Sequence, residues 1–326
     1  MQFVQRFLAN ILLGCLVFSS SSIAQDKKAK DKAAKQQIRI TFNFESLEGL
    51  PADAKLQAEN LKVLEDGVEQ KIDVLDSNSQ GISYGVLIDT SGSMREYLPN
   101  LVLLTISLVD QLGSADEMFI AQGKAEAELL QDMTSNKEEL YNATKSLFTG
   151  GGSALYDNII AGADHLKEKG KHSRRVLIVL TDVVERGSLW KLNEMVAAIS
   201  EDDVQLAFIR LLNQELLKRS AQPGESTEKT VAKGTSVFDS LAILTGGIFV
   251  RYSAPIKITK GEAPALLQAA SDYTKPIFQH AKIKYRLSYL TANQKYDGRP
   301  RNAQVIWQNQ EGKTISKEFS FVVPKK

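Results

Sequence analysis

The sequence predicts an α/β fold: a doubly wound parallel-sheet domain inserted in, or flanked by, a small β-sandwich made from N- and C-terminal strands. Three observations lead there. From residue 82 to 255, short apolar runs alternate with helical patterns, as in a parallel sheet covered on both faces. Strict apolar–polar alternation precedes this region and returns after it, which is the period of half-buried strands. Strands at the two chain ends protect their edges most simply by pairing with one another.

The elements follow in order. Residues 1–24 have the layout of a secretory signal, with Arg6, an apolar stretch from Phe7 to Phe18 and small residues ending in Ser22-Ile23-Ala24. Cleavage after Ala24 and export are expected. The apolar stretch is shorter than the roughly 20 residues a membrane-spanning helix needs. Cys15 is the single cysteine, and Leu12-Leu13-Gly14-Cys15 loosely resembles the box at which bacterial lipoproteins are cut and acylated. That anchor is the lesser alternative, because the apolar run before Cys15 is short and continues beyond it. Without Cys15 the mature chain has no thiol, so neither disulfides nor cysteine catalysis enters.

Residues 25–37 are a charged linker with five lysines and two aspartates and no aromatic residue, read as a solvated spacer. The whole chain balances 40 basic against 39 acidic side chains, which leaves no electrostatic footprint for nucleic acid.

Residues 38–81 read as an N-terminal β unit. Ile38, Ile40, Phe42 and Phe44 alternate, and Glu65-Asp66-Gly67 divides two short alternating runs, a hairpin signal. In the central domain, 82–255, the apolar strands are Tyr84–Ile88, Met118–Ala121, Val176–Leu180, Val204–Ile209 and Ile248–Val250. Helical spacing lies between them, within 98–112, 135–148, 153–169, 188–200 and 238–247. Residues 213–235 are polar without a clear period and read as a long loop at the carboxyl edge of the sheet. In 256–326 a helix over 263–280 precedes strands in IKYRLSYL, AQVIWQ and KEFSFVV, with a turn at Asp297-Gly298.

In an open parallel sheet, ligands bind beyond the carboxyl ends of the strands. There the first central strand ends in YGVLIDTSGSM, residues 84–94, with Asp89, Ser91 and Ser93 two apart and Gly92 easing the backbone between the serines. One carboxylate with two hydroxyls is a hard oxygen set, suited to Mg²⁺, Mn²⁺ or Ca²⁺ and ill suited to zinc. TGGGSALYDN, residues 149–158, brings Ser153 to the same edge, and VLIVLTD ends another strand in Asp182. Taken singly, Ser153 reads as an N-cap and Asp182 as a strand-terminating acid. Asp157 is accounted for by the helix dipole, and Phe148, Leu155 and Tyr156 read as core.

Taken together, YGVLIDTSGSM, FTGGGSALYDNI and VLIVLTD resemble the three ligand loops of the von Willebrand factor A domain. LEDGVEQKIDV, LAILTGGIFV, KYRLSYL and YDGRPRN extend the resemblance to the secreted VWFA-related Acidobacterial domain group. The resemblance implies a metal-ion-dependent adhesion site, with Ser91 and Ser93 as direct ligands. Asp89 and Asp182 would act directly or through water, and Ser153 stands where the family usually has threonine. It further implies a divalent cation, Mg²⁺ or else Mn²⁺ or Ca²⁺, whose open position accepts an Asp or Glu carboxylate from an unidentified partner protein. Val183-Val184-Glu185 departs from the family's glycine followed by acidic or polar residues, so the rim is altered.

Two other classes compete with this reading. A metal-independent envelope scaffold would bind through its loops or β-sandwich. A Mg²⁺-dependent enzyme finds little support: there is no Gly-x-Ser-x-Gly elbow, GGGSAL lacks a P-loop lysine, and His165 and His172 lie on or beside a lysine-rich, surface-like helical pattern.

Overall fold

The structure, a computed structural model, describes residues 37–325 except 52, 53, 55, 78–80, 213–226, 254–262 and 310. The signal segment, Cys15 and the linker up to residue 36 therefore lie outside the described residues, as does the first half of the polar stretch 213–235.

The central sheet takes its strands from the apolar runs: β5 (Ser83–Asp89), β6 (Glu117–Gly123), β7 (Ala127–Thr134), β8 (Arg175–Thr181), β9 (Gln205–Leu212) and β10 (Phe249–Ser253). Their order is β10-β9-β8-β5-β6-β7. All neighbours are parallel except β7, which runs antiparallel to β6 at the edge. The expectation of a wholly parallel sheet is corrected at that edge. Residues 127–134 are half-buried on an edge strand, so they lack the continuous apolar run that marks the inner strands.

Alternation along the inner strands serves two cores. Tyr84, Val86 and Ile88 face one, with Met118, Ile120 and Ile178. Leu87, Phe119, Leu177 and Val179 face the other. Helices α1 (Leu98–Gln111), α2 (Lys137–Thr144) and α6 (Ala263–Ala281) cover the first face; α3 (Leu155–Lys169), α4 (Leu192–Asp202) and α5 (Thr227–Leu244) cover the second. Helix α5 corrects the reading of 213–235 as one long loop, because Thr227 onward is helical. Its first turns carry mostly polar residues, which hid the period. His165 is also corrected: it is buried on α3, with Nε2 2.8 Å from Asp132 Oδ1 and its ring edge-on to Phe119 at 4.8 Å.

The remaining strands are β1 (Arg39–Phe44), β2 (Leu61–Glu65), β3 (Val68–Gln70), β4 (Ile72–Ser77), β11 (Tyr285–Leu290), β12 (Pro300–Gln308) and β13 (Thr314–Val322). They form two antiparallel sheets, β1-β11-β4 and β13-β12-β2-β3, so strands from both chain ends do pair. The sheets meet through Phe42 and Phe319, whose rings stack at 4.4 Å. Their apolar faces join the core that also holds α3, α4 and α5. Buried Arg174 reaches Asp76 at 3.3 Å, and buried Arg286 reaches Asp203 at 3.0 Å. These pairs fasten β4 and β11 to the base of the α/β layer.

Candidate functional site

Strand order reverses around β5, since β6 lies on one side and β8, next in the parallel series, on the other. A crevice opens at such a reversal because the two following connections diverge. Asp89 closes β5, and Asp182 follows β8 directly.

Both carboxylates are buried. Asp89 Oδ1 accepts the Ser91 N–H at 3.0 Å, and its Oδ2 accepts the Thr181 hydroxyl at 2.9 Å. Asp182 Oδ1 accepts the Val184 N–H at 3.0 Å, and Ser93 hydrogen-bonds its side chain. The hydroxyls of Ser91 and Ser93 are 3.2 Å apart. Thus Asp89, Ser91, Ser93 and Asp182 form one connected group, and Thr181, which sequence reasoning missed, holds its Asp89 end. The available signal was a hydroxyl residue ending the strand directly before Asp182.

Ser153 arrives from the second loop. Its hydroxyl donates to the Val184 carbonyl at 3.2 Å, so it does not cap α3, whose N-cap residue is Ala154. That loop is sewn to the first: the Gly92 N–H donates to Gly151 O at 3.2 Å, and the Gly150 N–H to Thr90 O at 2.8 Å. Gly151 has φ 77°, a left-handed conformation that favours glycine. Gly92 has no positive φ; its observed role is the backbone contact with the second loop.

Val183 has φ 62° and is buried. A β-branched residue there is a true outlier. Glycine at this position, as in the resembled family, would adopt the same turn without strain. Beyond it the chain folds back over the start of α3. Glu185 accepts the N–H groups of Gly187, Ser188 and Tyr156 at 2.8–3.1 Å. Asp157 accepts those of Leu189 at 2.9 Å and Trp190 at 3.0 Å. The helix dipole is therefore not the full account of Asp157, which pins the third loop. Leu155 is buried and Tyr156 packs on the core, but Phe148 is 54% exposed, correcting its reading as core.

Burial first, and the Asp182 charge second, push the Asp89 carboxyl up to about 7. Burial also raises Asp182, against the lowering effects of Ser93, the Val184 N–H and Arg186. Two buried acids that resist ionisation together are a poor arrangement for an apolar crevice and a good one for a cation. Among the described residues, no cluster of three or more His, Cys, Asp or Glu gathers as a metal site. The donors gathered here are two carboxylates and the hydroxyls of Ser91 and Ser93, with the Ser153 hydroxyl turned to Val184 O on the adjoining loop, which is the chemistry of Mg²⁺ or Ca²⁺. By that test the residues fit a hard divalent ion.

Comparison with known proteins places residues 85–185 in a match to the family described as von Willebrand factor type A domain. The match spans Asp89, Ser91, Ser93, Ser153 and Asp182 and ends within the third loop; the flanking segments that carried the Acidobacterial resemblance lie outside it. Comparison with curated proteins finds no match. Among solved structures, the von Willebrand factor type A protein of Catenulispora acidiphila is similar at 11% identity and TM-score 0.44, over 89% of this chain and 75% of that one. The conserved hypothetical protein BatB of Bacteroides thetaiotaomicron has 17% identity and TM-score 0.41, over 60% of this chain and all of that one. An aerotolerance-related membrane protein of Bacteroides fragilis has 15% identity and TM-score 0.43, over 62% and 98%. These likenesses are distant, and the fold assignment rests on the strand order above.

Proposed function

We propose, for a chain whose residues 85–185 match the von Willebrand factor type A domain family, that it is an exported, metal-dependent protein-binding module. Asp89, Ser91, Ser93, Ser153 and Asp182 would hold a divalent cation, Mg²⁺ or else Mn²⁺ or Ca²⁺. When bound, the ion would offer a Lewis-acidic position to an Asp or Glu carboxylate of a partner protein. The observation that carries this reading is the buried pair Asp89 and Asp182 at the strand-order reversal, with the paired hydroxyls of Ser91 and Ser93 between them and Ser153 on the adjoining loop.

The chain's own residues divide the work. Thr181 holds Asp89 by its hydroxyl and accepts the Val183 N–H at 3.0 Å, so strand end and third loop keep one geometry. The backbone bonds between Thr90, Gly150, Gly92 and Gly151 keep Ser153 within reach of the first loop. Because three of the five donors are neutral, a bound cation would retain charge for a partner carboxylate. No helix among the described residues is long and apolar enough to cross a membrane; export rests on the segment before residue 25.

Affinity capture from an envelope extract tests this, run with wild type and Asp89→Ala, each in Mg²⁺ and in chelator. A partner retained only by wild type in Mg²⁺ is expected. Capture that ignores both chelator and Asp89→Ala would replace the reading with a metal-independent scaffold.

A further inference from the structure

Four large apolar side chains stand exposed among the described residues: Val68, Phe148, Leu189 and Ile243. Two of them border the loop 149–153 that carries Ser153. Phe148 directly precedes it, and its N–H donates to Gln122 Oε1 at 3.3 Å. Gln122 is paired with Ile88, one residue before Asp89, so Phe148 stands at the level of the site. On the other side, the third loop lies so close that a Cβ on Gly187 would come within 2.9 Å of Ser153 O. Leu189 follows two residues later and is 86% exposed.

Neither backbone is loose. Asp157 holds the N–H groups of Leu189 and Trp190, and Glu185 holds those of Gly187 and Ser188. A large apolar side chain kept in water on a pinned backbone loses little freedom when a partner covers it, which is the condition for an efficient contact. Each of the two exposed residues has a cation near it, although Lys124 is shared with Glu128 at 3.9 Å. The Lys124 ammonium lies 3.0 Å from the Phe148 ring centroid, and exposed Arg186 acts on Asp182. The carboxylates of the same third loop and helix start, Glu185 and Asp157, are aimed at backbone N–H groups, not at the exposed side chains.

The geometry points to a partner segment in which one Asp or Glu is flanked by large apolar side chains. Its carboxylate would meet the cation that the adhesion reading places at Asp89 and Asp182, beside Arg186, while its apolar neighbours cover Phe148 and Leu189 on either side of residues 149–153. This rests on the adhesion reading above and adds the residues that select the partner.

A random peptide library displayed on phage, panned on the immobilised full chain in Mg²⁺, tests it. Enriched peptides should carry an acid within two positions of Leu, Ile, Phe or Trp. Their binding should fall about tenfold on Phe148→Ser and on Leu189→Ser, with melting temperature unchanged. No enrichment, enrichment of acids without apolar neighbours, or full binding by both variants would overturn the proposal. A chelator arm separates the two readings. If chelator abolishes binding while both variants retain it, the metal reading stands and this one falls; if binding survives chelator but not the variants, the apolar contacts of Phe148 and Leu189 stand, while the metal reading and the carboxylate part of this proposal fall.

Discussion

Replacing Asp89 by Asn should stabilise the metal-free protein near pH 8, an unusual outcome for a buried hydrogen-bonded residue. Burial and the neighbouring Asp182 raise the Asp89 carboxyl from 3.8 to about 7, a displacement worth about 4 kcal/mol. A carboxyl raised on folding penalises the folded state only where the unfolded chain is ionised. The penalty is absent below about pH 4, grows as pH rises to about 7, and is constant above that. Asparagine removes the charge but leaves either Ser91 N–H or the Thr181 hydroxyl without its acceptor, a loss of about 1 kcal/mol. The variant should therefore gain about 3 kcal/mol near pH 8, or about 6 °C in melting temperature, and gain nothing near pH 4. Thermal unfolding in chelator across that pH range measures the difference. Added Mg²⁺ should then raise the melting temperature of wild type and leave the variant unmoved. A variant that is less stable near pH 8 in chelator, or a difference that does not change with pH, would refute the electrostatic account of the site.

Three further outcomes are expected. Val183→Gly should be more stable than Val183→Ala by about 1 kcal/mol in urea unfolding, inverting the usual order, because φ is 62° there and both variants lose the same buried side chain; an Ala variant at least as stable would count against the strained turn. Thr181→Val should weaken Mn²⁺ binding by about tenfold in calorimetry, since it removes the donor to Asp89 Oδ2 while keeping the side chain's shape; unchanged affinity would show that Asp89 needs no positioning. Arg301→Met should cost about 3–5 kcal/mol in denaturant unfolding, because it leaves Glu65, buried 3.3 Å away, without its cation, and adding Glu65→Gln should recover part of the loss.

The strands of both sheet systems were legible because their signals are local. Tyr84, Val86 and Ile88 belong to an unbroken apolar run, and Phe42 and Phe44 alternate with polar neighbours. Strand β7 was not legible, since an edge strand half-buried on both faces shows neither pattern. The same limit applied to the start of α5, where Thr227 to Gly234 are mostly polar. His165 was misread from the lysines nearby, because a helical pattern gives composition before it gives a face. Only its partner Asp132, on β7, shows which way it points.

At the site, the sequence by itself determined the donor chemistry: Asp89, Ser91 and Ser93 after one strand, Ser153 after a glycine run, Asp182 after another strand. It also determined that Asp89, Ser91, Ser93 and Asp182 would fall at carboxyl ends, because periodicity locates strands and residue type locates their ends. Only the tertiary structure decided that Thr181 ties Asp89, that Val183 occupies a left-handed turn, and that Asp157 and Glu185 hold the third loop against α3. Hydrogen-bond partners some 30 to 90 residues apart are chosen by which strands the sheet places side by side, and that order is a property of the whole chain's packing. The exposure of Phe148 and Leu189 was decided there too, since an apolar residue is core or contact surface according to what the rest of the fold leaves uncovered.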